Sequence, residues 1–72
     1  MATDIITVDT LDIRDVEMGT TYYVVTDPNR GGRCVMHPWS PMFIAAWLRH
    51  EEAKAVARKL GKGFGVAAQL KN

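Results

Sequence analysis

Cys34, His37 and His50 are the side chains of this 72-residue chain best suited to nucleophilic or metal chemistry. A structural zinc ion takes four ligands, and a thiolate nucleophile needs an imidazole within hydrogen-bond reach. Cys34 and His37 lie three apart in an alternating stretch, Arg33-Cys34-Val35-Met36-His37, which reads as a strand. Residues three apart on a strand point to opposite faces, so this pair can neither grip one metal ion nor form a Cys–His dyad. His50 would have to join from a helix start, and a fourth ligand is missing. The acids gather in the N-terminal arm, where a catalytic pair would have to be held rigidly. Gly31-Gly32 could cradle a phosphate, but the Gly-Lys-Ser/Thr ending and the helix directly behind it are both lacking. The expectation is therefore no catalytic residue, no metal and no cofactor: not an enzyme.

Binding chemistry is better represented. Trp39 is set between Pro38 and Pro41, which hold it in a loop. Exposed tryptophans and arginines are the types that most often carry interface energy. Two readings of Trp39 stand side by side, a binding anchor and a lid over the open end of a small core. Tyr22 and Tyr23 point to opposite faces of a strand, so one of them faces outward, with Arg30 and Arg33 in the adjoining hairpin. Aromatics on a sheet beside basic residues can stack nucleic-acid bases, although two or three arginines make a thin electrostatic footprint. The candidate partner-binding residues are Arg30, Arg33, Trp39 and Tyr22.

These residues need elements to position them. Thr20-Thr21-Tyr22-Tyr23-Val24-Val25-Thr26 is the best strand in the chain, almost wholly β-branched and aromatic. Asp27-Pro28-Asn29-Arg30-Gly31-Gly32 concentrates the turn-forming types, so residues 20–37 read as a hairpin with a loop of about six residues. After the break at Pro38 and Pro41, residues 41–60 admit two readings. Ser40-Pro41 could cap one long helix running to Leu60. Against that, Met42-Phe43-Ile44-Ala45-Ala46-Trp47-Leu48 would put apolar side chains all round two helical turns, which a domain of this size has nowhere to bury. A strand buried on both faces needs that pattern, so strand followed by helix is favoured. The helix over His50–Leu60 carries an apolar stripe, Ala53, Val56, Ala57 and Leu60, at helical spacing. Its acids, Glu51 and Glu52, come first and its bases, Arg58 and Lys59, come last, matching the macrodipole. Gly61 is placed for a left-handed C-cap, and Phe64 to Leu70 forms the final strand. From Leu11 to Val16 near-alternation favours a short edge strand or extended arm, part of it packed on the domain.

The expected fold is α+β: a small antiparallel sheet in the order β-β-β-α-β, one helix packed on one face, and an extended N-terminal arm. Residues 1–19 would be the arm and residues 20–72 a single domain. A chain this short buries only roughly 60–65% of the surface its unfolded form exposes. The 47% apolar content suits a globular domain. One cysteine permits no intrachain disulfide, and the acidic start Met-Ala-Thr-Asp lacks the basic and apolar regions of a signal peptide. The longest apolar run is seven residues, far short of the roughly 20 of a membrane span. A cytoplasmic, monomeric protein with no membrane contact is expected. The net charge of +1 hides a separation: residues 1–29 sum to −5 and residues 30–72 to +6. Such asymmetry marks an interaction surface, unless the acidic segment folds over the basic one.

From Thr21 to Leu70 the order is strand, strand, strand, helix, strand. Its landmarks are Tyr22-Tyr23-Val24-Val25, Ile44-Ala45-Ala46-Trp47, Glu51-Glu52-Ala53 and Leu60-Gly61. In size and element order this resembles small phage-encoded proteins that bind bacterial RNA polymerase and shut down host initiation. The resemblance covers about 50 of the 72 residues and rests on architecture plus the Glu-Glu-Ala signature. It implies a regulatory protein that binds a host macromolecule, with RNA polymerase the first candidate, in the host cytoplasm, to inhibit or redirect transcription. The inhibitors it resembles tend to be strongly acidic on the sheet, whereas this chain is basic from residue 30, and no binding residue carries over. The alternatives are a nucleic-acid-binding module using the tyrosines with Arg30 and Arg33, and a non-catalytic accessory subunit whose arm adds a strand to a partner.

Overall fold

The structure, a computed structural model, describes residues 10–37 and 40–72, with the backbone alone for residues 40 and 41. Six short antiparallel strands and one helix follow in the order β1 (Leu11–Asp12), β2 (Thr21–Asp27), β3 (Arg33–Cys34), β4 (Met36–His37), β5 (Ser40–Ala46), α1 (His50–Leu60) and β6 (Gly65–Leu70). This is the α+β architecture expected, with its strands divided between two sheets, β1-β5-β4 and β3-β2-β6. Val35 is the reason for the division. Its N–H donates to Val25 in one sheet at 2.7 Å, and its carbonyl accepts from Ala45 in the other at 3.0 Å. The chain thus changes sheets within the hairpin's second strand.

The apolar run from Met42 is a strand, not the first half of a long helix. It is central in its sheet, and Ala45, Ala46 and Trp47 are fully buried. Burial on both faces extends only over the middle of the run, since Met42 and Leu48 are exposed. Helix α1 starts and stops where the sequence places it. Ala53, Val56 and Ala57 lie against Val25, Ala45 and Trp47, with Tyr23, Val35, Leu60, Phe64 and Val66 around them. The small side chains of the stripe let the helix axis come close to the strands. Gly61 closes the helix differently from expectation: its φ of 134° and ψ of −173° lie outside the left-handed helical well, in a region open essentially to glycine alone. Its N–H still satisfies the Ala57 carbonyl at 3.2 Å.

The N-terminal arm departs most from its pattern. Strand β1 lasts two residues, and Ile13–Asp15 forms a turn of 3-10 helix where alternation favoured an extended segment. Asp12 is the physical cause. It is buried, and its carboxylate accepts from the Arg14 N–H at 2.9 Å and from the Arg14 guanidinium at 2.7 Å and 3.2 Å. A short polar side chain that caps the backbone two residues on competes with a strand ladder. Thr10, Asp12 and Val16 are all buried, so residues 10–17 are part of the packed domain. The expectations for residues 1–9 lie outside the described residues.

Candidate binding surface

The antiparallel register of β2 and β6 is what assembles the surface. Thr21 pairs with Leu70 at one end and Thr26 with Gly65 at the other, six pairs without a bulge. The turn that precedes β6 is therefore carried to the tip of the β2–β3 hairpin. Gly63 sits against Pro28 so closely that a Cβ there would stand 3.1 Å from Pro28 Cγ. Asp27 shapes the tip by accepting from the Asn29 N–H at 2.8 Å, which caps the short helical turn Pro28–Arg30.

One end of the molecule consequently gathers exposed cations from three segments. Arg30 and Arg33 come from the hairpin, Lys62 from the turn after the helix, and Arg58 and Lys59 from the last turn of α1. The other end carries acids. Glu17 and Asp15 are exposed beside the start of β2, where Gly19 and Thr20 bond to Lys71, and Glu51 is exposed in the first turn of α1. Strand β2 separates the two ends by roughly 20 Å at about 3.3 Å per residue. Folding redraws the sequence-level charge separation: Asp27 of the acidic segment caps the turn at the basic tip, and Arg49 and Lys71 of the basic segment lie at the other end among Asp15, Glu17 and Glu51. Arg14 is withdrawn from the basic set. It is ion-paired with Asp12 at 2.7 Å, and its guanidinium lies 3.8 Å over the Phe43 ring. The hydrogen bond to Asp12 raises its pKa further above the ordinary arginine value, against a smaller desolvation effect.

Of the candidates named from sequence, Arg30 and Arg33 stand together at this basic end. Tyr22 does not. It lies half-buried near the start of β2, across from Gln69 and five residues before Asp27, so roughly 17 Å of strand separates it from the tip. Tyr23 is on the core face, its ring edge-on to His50 with centroids 5.4 Å apart. Trp39 lies outside the described residues. The sequence places Arg58, Lys59 and Lys62 on a helix and a turn, not on the hairpin-tip surface. The one signal for them was that an antiparallel partner for the best strand must start opposite that strand's end.

A second feature lies between α1 and β6, a cavity of about 350 Å³. His50, Lys54 and Arg58 form its helix wall, with Phe64 and Val66 on the strand side. Among the described residues, no three His, Cys, Asp or Glu side chains stand close enough to hold a metal ion. No helix among them is long and apolar enough to cross a membrane. The chain matches no protein-family model, no curated protein and no solved structure.

Proposed function

We propose that this is a stoichiometric binding protein that docks its basic end on an acidic surface of a host macromolecule, with bacterial RNA polymerase as the partner, and so inhibits or redirects transcription. The observation that carries the reading is the convergence of Arg30, Arg33, Arg58, Lys59 and Lys62 on one end while Asp15, Glu17 and Glu51 lie at the other. A dipolar molecule of this kind is turned by a partner's field before contact, which raises the rate of productive encounter. The choice of polymerase rests on the resemblance in size and element order set out above, and the basic end supplies the sign of charge that an acidic docking surface requires. The nucleic-acid reading draws less support, because Tyr22 is far from Arg30 and Arg33.

Capture from a bacterial lysate at physiological salt, with the tagged chain as bait, tests the proposal. Recovery of polymerase subunits supports it, and their absence from the eluate removes polymerase as the partner. A gel-shift with single- and double-stranded nucleic acid at low salt tests the alternative, in which affinity falls with a log–log salt slope of nearly one per neutralised phosphate.

A further inference from the structure

Strand β6 is the edge of its sheet, and the hydrogen-bond pattern shows which of its groups face outward. Tyr23 and Trp47 exchange both backbone bonds, and the Val25 carbonyl accepts from Val35. Tyr23 and Val25 therefore turn their polar groups away from β6. On an antiparallel strand that direction alternates residue by residue, so Tyr22, Val24 and Thr26 face β6. Their register partners Gln69, Ala67 and Gly65 face back. The bonds of Lys71 to Gly19 and Thr20 continue the same phase. Val66, Ala68 and Leu70 are left with N–H and C=O groups aimed at the open edge, unpaired among the described residues.

Exposed edges are ordinarily blunted by lysine, proline, a bulge or an inward charge. Residues 65–70 contain no proline and no charge, and their pairing has no bulge. The nearest lysine, Lys71, is turned away: its Nζ donates to the Ile13 carbonyl at 2.8 Å. Among the described residues nothing pairs with the edge, and the cavity opens beside it. Val66 is both a cavity wall and an outward-facing donor, and among the described residues no carboxylate lines the cavity to answer Lys54 and Arg58.

We propose that β6 accepts an extended segment of a partner protein as an added antiparallel strand, of the pattern apolar-x-apolar-x-Asp/Glu. Side chains directly across an antiparallel pair share a face. A residue across from Val66 points over the core face into the cavity beneath Lys54 and Arg58, and an acid there gains charge-assisted hydrogen bonds. Residues across from Ala68 and Leu70 meet exposed apolar surface, Leu70 being 57% accessible. This surface shares Arg58 with the basic end but does not depend on the partner named above.

The test is a titration of the isotope-labelled protein with the blocked peptide acetyl-Thr-Val-Thr-Val-Thr-Glu-Thr-amide, followed by amide shifts and hydrogen exchange. The expected result is shift changes and slowed exchange at Val66, Ala68 and Leu70, with affinity about tenfold weaker when the peptide Glu is Lys. Methylating the peptide nitrogens of both Val and the Glu abolishes binding, as does Ala68→Lys in the protein at unchanged melting temperature. Three results overturn the proposal. One is no shift at millimolar peptide. Another is equal binding of the methylated peptide, which reduces the site to a cavity for an anion. The third is concentration-dependent protection of the three amides without peptide, together with a dimer in sedimentation, which assigns the edge to a second copy of the chain.

Discussion

Tyr23 donates its amide to the Trp47 carbonyl at 2.7 Å, and Trp47 returns the bond at 2.9 Å. This isolated bridge ties the end of β5 to β2, so it joins the two sheets and seats the Trp47 indole in the core. It also sets the phase of β2 and thereby of β6. One pair thus connects the packing of the domain to the direction in which its open edge points.

Trp47 is fully buried, and its Nε1 has no hydrogen-bond partner among the described residues. Trp47→Ala is expected to cost about 3–5 kcal/mol, enough to unfold much of a domain this small. Trp47→Phe should cost distinctly less, because it removes an N–H whose desolvation is uncompensated as well as some volume. Urea denaturation of both variants checks the order. Equal losses would mean that the indole nitrogen has a partner in solution.

Gly63 has a φ of 89° and packs on Pro28. Gly63→Ala meets both a backbone region that L-residues avoid and a contact too close to Pro28 Cγ, with an expected cost of about 1–2 kcal/mol. Adding Pro28→Ala should recover the steric part and leave the backbone part, which a double-mutant cycle separates. Amide shifts of Asn29 and Arg30 should move in the single variant. If they do not, the turn after α1 does not set the hairpin tip.

Asp12 is 5% exposed and holds Arg14 from two sides, backbone and guanidinium. Asp12→Ala is expected to cost about 2 kcal/mol through loss of the cap and of a charge-assisted pair. Arg14→Ala should cost less than Asp12→Ala, since its side chain is 57% exposed and the contact with Phe43 is a modest cation–π interaction. Thermal or urea melts of both give the ratio. A larger loss from Arg14→Ala would show that the stacking on Phe43, not the cap, holds the turn.

Much of this arrangement was legible in the sequence, and the part that was not has a common cause. Periodicity marked α1, because Ala53, Val56, Ala57 and Leu60 are a local signal. Val24-Val25 and the Asp27–Gly32 turn marked the hairpin for the same reason. The change of sheet at Val35 was not legible, because both of its bonds go to residues ten positions away in opposite directions of the chain. The turn at Ile13–Asp15 was hidden by an alternation that Asp12 overrides from a buried position. At the candidate surface, Arg30 and Arg33 could be named from the hairpin. Arg58, Lys59 and Lys62 joined them only through the pairing of Thr26 with Gly65, a contact between residues far apart in sequence.

Binding of the purified chain to purified bacterial RNA polymerase, with charge reversed at one end or the other, bears most directly on the proposed role. Arg30→Glu, Arg33→Glu and Lys62→Glu together should weaken binding by about a hundredfold, most at low salt, with the melting temperature unchanged. Glu17→Arg, at the far end of β2, should leave affinity within about twofold of the wild type, as befits a charge more than a Debye length from the contact. Equal affinity of the triple variant and the wild type would contradict docking through the basic end, and no binding by the wild-type chain would contradict the polymerase partner itself.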